Sequence, residues 1–280
     1  MENVTLSELS PHYDTLFCDV WGVIRDGHDL LPEAVTALVR YREGGGRVCL
    51  VSNSPRLNAG LEEQLLALGL PREAFDAIVT SGDAILTELV KRTPGKVFTI
   101  GPNWDDTLYG GLPLEFVGVD EADFISVTGP DDYWDGKPED YDAVFETALA
   151  RGLDLVCANP DIVVQAGDRL IYCAGAIARR YREKGGTSIV AGKPHRPIYH
   201  LAIEALGGEE AVNLDRVLAI GDGPETDIAG ADRIGVDALF IGGGILEAEM
   251  QNGAFEIEAA VQVLKSYGVA ARWGAARLVW

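Results

Sequence analysis

Four apolar runs in this chain end on polar groups that could do chemistry. Asp19 follows Leu16, Phe17 and Cys18; Ser52 and Asn53 follow Val48 to Val51; Lys193 follows Ile189 to Ala191; and Asp222 with Asp227 follows Val217 to Ile220. If those runs are strands of one open parallel sheet, their carboxyl ends share an edge, and ligands of such sheets bind outside that edge. A carboxylate there could attack phosphorus covalently, but three carboxylates repel a phosphate dianion, so the set calls for a hard divalent cation with an oxygen shell, which Mg²⁺ fits. A lysine and a hydroxyl would then hold the remaining phosphoryl oxygens and neutralise charge as it shifts during an in-line displacement. Each residue alone also has a plainer role: Asp222 in a Gly-Asp-Gly turn, Asp227 in the first turn of a helix, Ser52 and Asn53 as a cap, Lys193 in a loop. Asp19 stands apart, because a carboxylate between Cys18 and Val20 in an apolar strand is costly to bury without a charge partner.

The elements that must position these groups are legible as alternation. Short β-rich runs are predicted at 16–24, 47–52, 97–101, 124–128, 155–158, 188–191, 217–220 and 238–241, each short enough for a buried strand. Helical spacing separates many of them, as in Leu61, Leu65 and Leu68, or Ile198, Leu201, Ala202 and Ala205. Gly44 to Gly46 end a helix that starts near Pro32 and deliver the chain into the next strand. Strand and helix in turn predict an α/β protein with a parallel sheet. Between about residues 80 and 186 the texture changes, with loops rich in Asp, Gly, Pro and aromatics at 104–111 and 130–138, which reads as an inserted domain. Beyond Gly242 the pattern weakens to one helix near 257–264 and an apolar end, Leu278 to Trp280, that would pack back on the body.

With 280 residues, 47% hydrophobic and 24% charged, the chain has material for a sizeable core. Its 23 basic and 44 acidic residues leave a net charge of −21, which argues against nucleic acid and anionic membrane as partners. No spanning-length apolar stretch occurs and the opening MENVTLSELS lacks the pattern of a signal peptide, so the expected location is cytoplasmic. Cys18, Cys49, Cys157 and Cys173 form no CxxC pair and read as buried free thiols. A nucleotide-binding dehydrogenase would need GxGxxG after an early strand, and the early glycines instead precede one. A phosphoacceptor receiver domain would put its acid pair on the first strand, not the last.

Phe17-Cys18-Asp19-Val20-Trp21-Gly22-Val23, Val51-Ser52-Asn53, Gly192-Lys193-Pro194 and Gly221-Asp222-Gly223-Pro224-Glu225-Thr226-Asp227-Ile228 resemble, in order, the four motifs of the haloacid dehalogenase superfamily. The insertion between the second and third motifs, with its Asn159-Pro160-Asp161 triplet, is similar to the class IIA branch that holds 4-nitrophenyl phosphate and pyridoxal phosphate phosphatases. The resemblance implies a Rossmannoid parallel sheet core, built from residues 1–80 and 187–280, with an inserted α/β cap at 81–186. It implies Asp19 as the nucleophile that forms an aspartyl-phosphate, Ser52 as the phosphoryl-binding hydroxyl and Lys193 as the neutralising lysine. It also implies Asp19, Asp222, Asp227 and the main-chain carbonyl of Trp21 as Mg²⁺ ligands. Asn53, Arg56, Asn159 and Asp161, with Arg179 and Arg180, are candidate substrate contacts by position. The partner expected is a small phosphorylated metabolite, with homo-oligomerisation left open.

One departure qualifies the match. Relatives read DxDG at the first motif, where the second aspartate protonates the leaving oxygen; here that position is Trp21, whose indole has one N–H and no titratable acid. The expectation is therefore a Mg²⁺-dependent phosphohydrolase without its usual general acid. Its alternatives are a weak phosphometabolite-binding pseudoenzyme and a metal-independent carbon–halogen hydrolase, and His195 or Glu225 stands as a substitute proton donor.

Overall fold

The computed structural model describes residues 1–27, 29–166, 169–246 and 256–280. The chain opens with β1 (Glu2–Asn3), β2 (Thr15–Cys18), β3 (Arg47–Ser52) and β4 (Ala77–Thr80). It continues through β5 (Gly95–Ile100), β6 (Leu114–Phe116), β7 (Phe124–Val127) and β8 (Asp154–Cys157), a hairpin of β9 (Val163–Ala166) and β10 (Arg169–Tyr172), and β11 (Thr187–Val190). It closes with β12 (Val217–Gly221), β13 (Asp237–Ile241) and β14 (Trp273–Ala275). The larger sheet has the order β1-β14-β13-β12-β2-β3-β4 and is parallel throughout. The smaller sheet, β11-β8-β7-β5-β6, is parallel as well.

Alternation along the strands explains why both faces of the larger sheet are covered. Leu16, Cys18, Val48 and Leu50 point to one apolar cluster, shared with the helix Pro32–Glu43; Phe17, Cys49 and Val51 point to another. That second cluster also takes in Val97, Phe124, Val156 and Ala158, so the smaller sheet packs on the larger body through continuous apolar contact. The far face of the smaller sheet is covered by the helices Asp142–Arg151 and Ala174–Glu183 around Phe145, Ile177 and Tyr181. Leu278 is buried and Trp280 packs on the first cluster, as the apolar end of the sequence suggests. The four cysteines are free and buried. No helix among the described residues is long and apolar enough to cross a membrane.

Two boundaries differ from the sequence reading. The run 16–24 is not one strand: β2 stops at Cys18, and the chain turns so that Trp21 bridges Arg25, with Gly22 at φ 81°. The strand Thr187–Val190 pairs with β8 in the smaller sheet, so the return to the core comes after Val190 and not at residue 187. Its apolar run feeds straight into Lys193, which makes it look like a core strand, and only the long-range pairing shows otherwise.

Candidate active site

Asp19 sits where β2 ends, and its N–H still donates to the Ile220 carbonyl of β12, 2.8 Å away. Because β12, β2 and β3 are neighbours in register, Asp19, Ser52 and Asp222 lie together at the carboxyl edge. Asp227 reaches the same place from a single π-helical turn, Pro224–Ile228, of the kind often found at functional positions. One carboxylate oxygen from each of Asp19, Asp222 and Asp227 lies within 4.8 Å of the others, and all three residues are buried.

Lys193 ties the cluster together. Its ammonium donates to Asp19 Oδ1 at 2.6 Å and Asp227 Oδ1 at 2.7 Å, and the side chain is 3% exposed. Burial works against the ammonium, yet Asp19 and Asp227 outweigh it and hold the group well above its ordinary pKa. Burial, and then repulsion from Asp227, push the Asp19 carboxyl well above the usual range against the pull of Lys193. The same two causes push Asp222 up to about 7, opposed by the Ile245 N–H that it accepts at 2.7 Å. Three acids facing one cation bring more carboxylates than positive charge into a buried cluster, and a divalent cation is what such an oxygen donor set accommodates. The backbone is shaped to the carboxylates: a Cβ on Gly22 or Gly244 would overlap Asp222, and one on Gly221 would overlap Asp227.

Ser52 is buried beside this cluster, with its hydroxyl accepting the Ser54 N–H at 3.2 Å. Asn53 does not face outward as a substrate contact. Its Oδ1 accepts the Lys193 N–H at 2.7 Å, and its Nδ2 donates to Asp161 at 2.8 Å and to the Lys193 carbonyl at 3.3 Å, so it binds the third motif to the smaller domain. Burial raises the Asp161 carboxyl, with Lys193 and the Asn53 amide opposing.

Two cavities are lined by chain neighbours of the cluster residues, among them Trp21 and Ser54 in one and Pro194, Gly223 and Thr226 in the other, and Asp161 borders both. One, of about 470 Å³, is walled by Trp21, Arg25, Arg56, Asp105, Tyr133 and Asn159. The other, of about 890 Å³, holds Arg179, Arg182, His195, Glu225 and Arg233. His195 and Glu225 thus line a different cavity from Trp21. Glu225 is spoken for by Arg179, 3.1 Å away across the two domains, and burial followed by Arg233 and Arg182 lowers the His195 pKa. Arg180 turns away altogether, paired with Asp142 at 2.8 Å. In the Trp21 turn, the bridge uses the Val20 and Arg25 carbonyls, as acceptors from Arg25 and Gly22, and leaves the Trp21 carbonyl out. The sequence reading missed Arg25, buried six residues after Asp19 with its guanidinium 4.1 Å over the Trp21 ring, and Asp105, whose carboxyl burial pushes up to about 6. A cation closing an apolar run, Val23-Ile24-Arg25, is the only sequence signal Arg25 offers.

Comparison with known proteins agrees with this geometry. Residues 16–108 match a model of haloacid dehalogenase-like hydrolases, and residues 190–267 match a second, HAD-hydrolase-like model. A haloacid dehalogenase-like family hydrolase from Brucella suis 1330 is 39% identical, with a TM-score of 0.87 over 100% of both chains. A p-nitrophenyl phosphatase from Archaeoglobus fulgidus is 25% identical, with a TM-score of 0.72 over 94% of this chain and 96% of its own. The fold is also that of a glycerol phosphate phosphatase from Mycobacterium tuberculosis in complex with magnesium, 23% identical, with a TM-score of 0.64 over 86% of this chain and 70% of its own. None of the curated proteins matches this sequence.

Proposed function

Since this chain belongs to the haloacid dehalogenase-like hydrolases, in the class IIA branch, we propose that it is a phosphohydrolase of a small phosphate monoester working through Asp19. The observation that carries the reading is the Lys193 ammonium bridging Asp19 and Asp227 inside the three-carboxylate cluster. Lys193 occupies Asp19 Oδ1, which leaves Oδ2 to attack phosphorus. The bond from phosphorus to the ester oxygen breaks as the bond to Oδ2 forms, giving an aspartyl-phosphate that water then hydrolyses. Lys193 and the Ser52 hydroxyl would hold phosphoryl oxygens along that path. Asp19, Asp222, Asp227 and the Trp21 carbonyl would hold Mg²⁺, whose charge offsets the repulsion between carboxylates and phosphoryl oxygens. The similarity to a p-nitrophenyl phosphatase, and a fold shared with a phosphatase crystallised with magnesium, support the substrate class and the metal.

The test is hydrolysis of 4-nitrophenyl phosphate with Mg²⁺ by the parent and by Asp19→Asn. The amide cannot form the acyl-phosphate, so turnover should vanish while the circular dichroism spectrum is kept; an active Asp19→Asn protein refutes the reading. Trp21 favours one second reading, a phosphometabolite-binding protein with little turnover, which binding without hydrolysis in the parent would select. The cluster of three buried acids with a lysine weighs against a metal-independent carbon–halogen hydrolase, which has no use for Asp222 and Asp227.

A further inference from the structure

The smaller cavity has a charge pattern that phosphoryl chemistry leaves unused. Arg25 and Arg56 border it with Asp105 and Asp161. Three of these four have partners: Arg56 lies 4.0 Å from Asp105, Asp105 also accepts a hydrogen bond from Thr128, and Asp161 accepts one from Asn53. Arg25 does not. It is 4% exposed, its Nη2 donates to the Gly27 carbonyl at 2.8 Å, and its Nε and Nη1 find no acceptor among the described residues. A guanidinium carries five N–H donors, so at least the three on Nε and Nη1 are unmet among the described residues.

Burying a cation with no carboxylate in contact is costly, and stacking on the Trp21 indole offsets only part of that cost. The arrangement makes sense when the missing acceptor arrives with a ligand. Arg25 borders the cavity, so an acceptor that enters there meets the unmet nitrogens once a small shift turns the guanidinium toward it. Trp21 lines the same wall two residues from Asp19, which places the leaving portion of a phosphate ester there when its phosphorus faces Asp19.

We propose that this cavity selects phosphate monoesters whose leaving portion carries a carboxylate, with Arg25 as the specificity-determining contact. This rests on the phosphohydrolase reading above. A carboxylate suits the site better than a second phosphate because Asp105 and Asp161 share the wall and repel a dianion more strongly than a monoanion. The aromatic lining of Trp21, Tyr133 and Trp134 suits a flat ligand, and a guanidinium fixed over an indole is preorganised for a planar acceptor.

The test compares 3- and 4-phosphonooxybenzoate with the corresponding methylphenyl phosphates, in which a methyl replaces the carboxylate. Affinity is measured by calorimetry in Mg²⁺ on Asp19→Asn protein, which holds the esters without turning them over. A charge-assisted contact in a dry site should make at least one benzoate bind about tenfold or more tightly than its methyl counterpart. Adding Arg25→Met should bring that ratio close to one, and Arg25→Lys should keep part of it. Should Arg25→Met fail to fold, Arg25→Lys carries the test through the size of the ratio. The proposal is overturned by a ratio near one in the Asp19→Asn protein, by a preference that survives Arg25→Met, by no binding of any of these esters, or by tighter binding of a hydroxyphenyl bisphosphate than of either benzoate. Hydrolysis of 4-nitrophenyl phosphate by the unaltered protein judges the phosphohydrolase reading separately, since that ester has no carboxylate.

Discussion

On the proposed phosphohydrolase reading, Trp21 would stand where a proton donor serves the leaving oxygen; its indole carries the Arg25 guanidinium. Without an acid, esters whose oxygens leave unaided should react far faster than those that need protonation. An aryl and an alkyl phosphate compared on the parent should therefore differ steeply, and Trp21→Asp should raise alkyl phosphate hydrolysis by roughly 10²-fold, the low end of what general acid catalysis supplies. A flat leaving-group dependence with no gain in the variant removes this account of Trp21. Asp105 offers a different measurement. Burial lifts its carboxyl to about 6, above the unfolded value of 3.8, so the native chain binds that proton more tightly. Its contribution to stability is therefore present in acid and is lost as pH rises through about 6. Asp105→Asn should gain on the parent by about 1 to 2 kcal/mol between pH 5 and 7.5 in urea unfolding, and a pH-independent difference between the two proteins contradicts it. Asp19 was legible because a carboxylate ending an apolar run is conspicuous in sequence. Arg25 was not, because nothing local marks a cation as buried and unmatched.

The elements owe the site its shape to close backbone approaches. Gly244 has no left-handed conformation to protect, yet a Cβ there would run into the Asp222 carboxylate. Gly244→Ala should displace that carboxylate and lower Mg²⁺ affinity by about tenfold or more, at a stability cost of about 1–3 kcal/mol for overpacking. Calorimetric titration of Mg²⁺ into the variant checks it, and an unchanged affinity shows that Asp222 does not hold the metal. The alternation of strands and helices could be read in advance because hydrophobic period reports which faces are buried. The owner of the strand Thr187–Val190 could not, since partner choice in a parallel sheet is settled by residues more than thirty positions away, Asp154–Cys157 here. The role of Asn53 was hidden for the same reason: its partners, Lys193 and Asp161, are more than a hundred residues distant.

At the scale of the whole molecule, a net charge of −21 and a core cluster of three acids around one lysine make the apo protein electrostatically strained and responsive to cations. Magnesium at about a hundred times its dissociation constant should add about 2.7 kcal/mol, a rise in Tm of roughly 5 °C for a chain of this size. In Asp222→Asn the increment should disappear, while the metal-free Tm rises because one of the three mutually repelling carboxylates is gone. Thermal unfolding of both proteins with Mg²⁺ and with chelator reads both effects, and a Mg²⁺ increment retained in the variant refutes the assignment.

The chain leaves the larger sheet after Thr80 and the smaller sheet after Val190, and the two crossings touch: a Cβ on Gly192 would run into the Ser81 hydroxyl, the Asn53 amide and the Pro160 ring. For the core, then, a whole second domain is equivalent to a tight turn. Loop-closure entropy grows only as the logarithm of loop length, by about 0.6 kcal/mol per doubling, and an insert that folds upon itself with its ends already together costs less still. On the proposed reading, the core could keep one phosphoryl site while the insert is lengthened, shortened or re-lined, so the part that would meet the leaving group is free to change independently of the part that would break the bond.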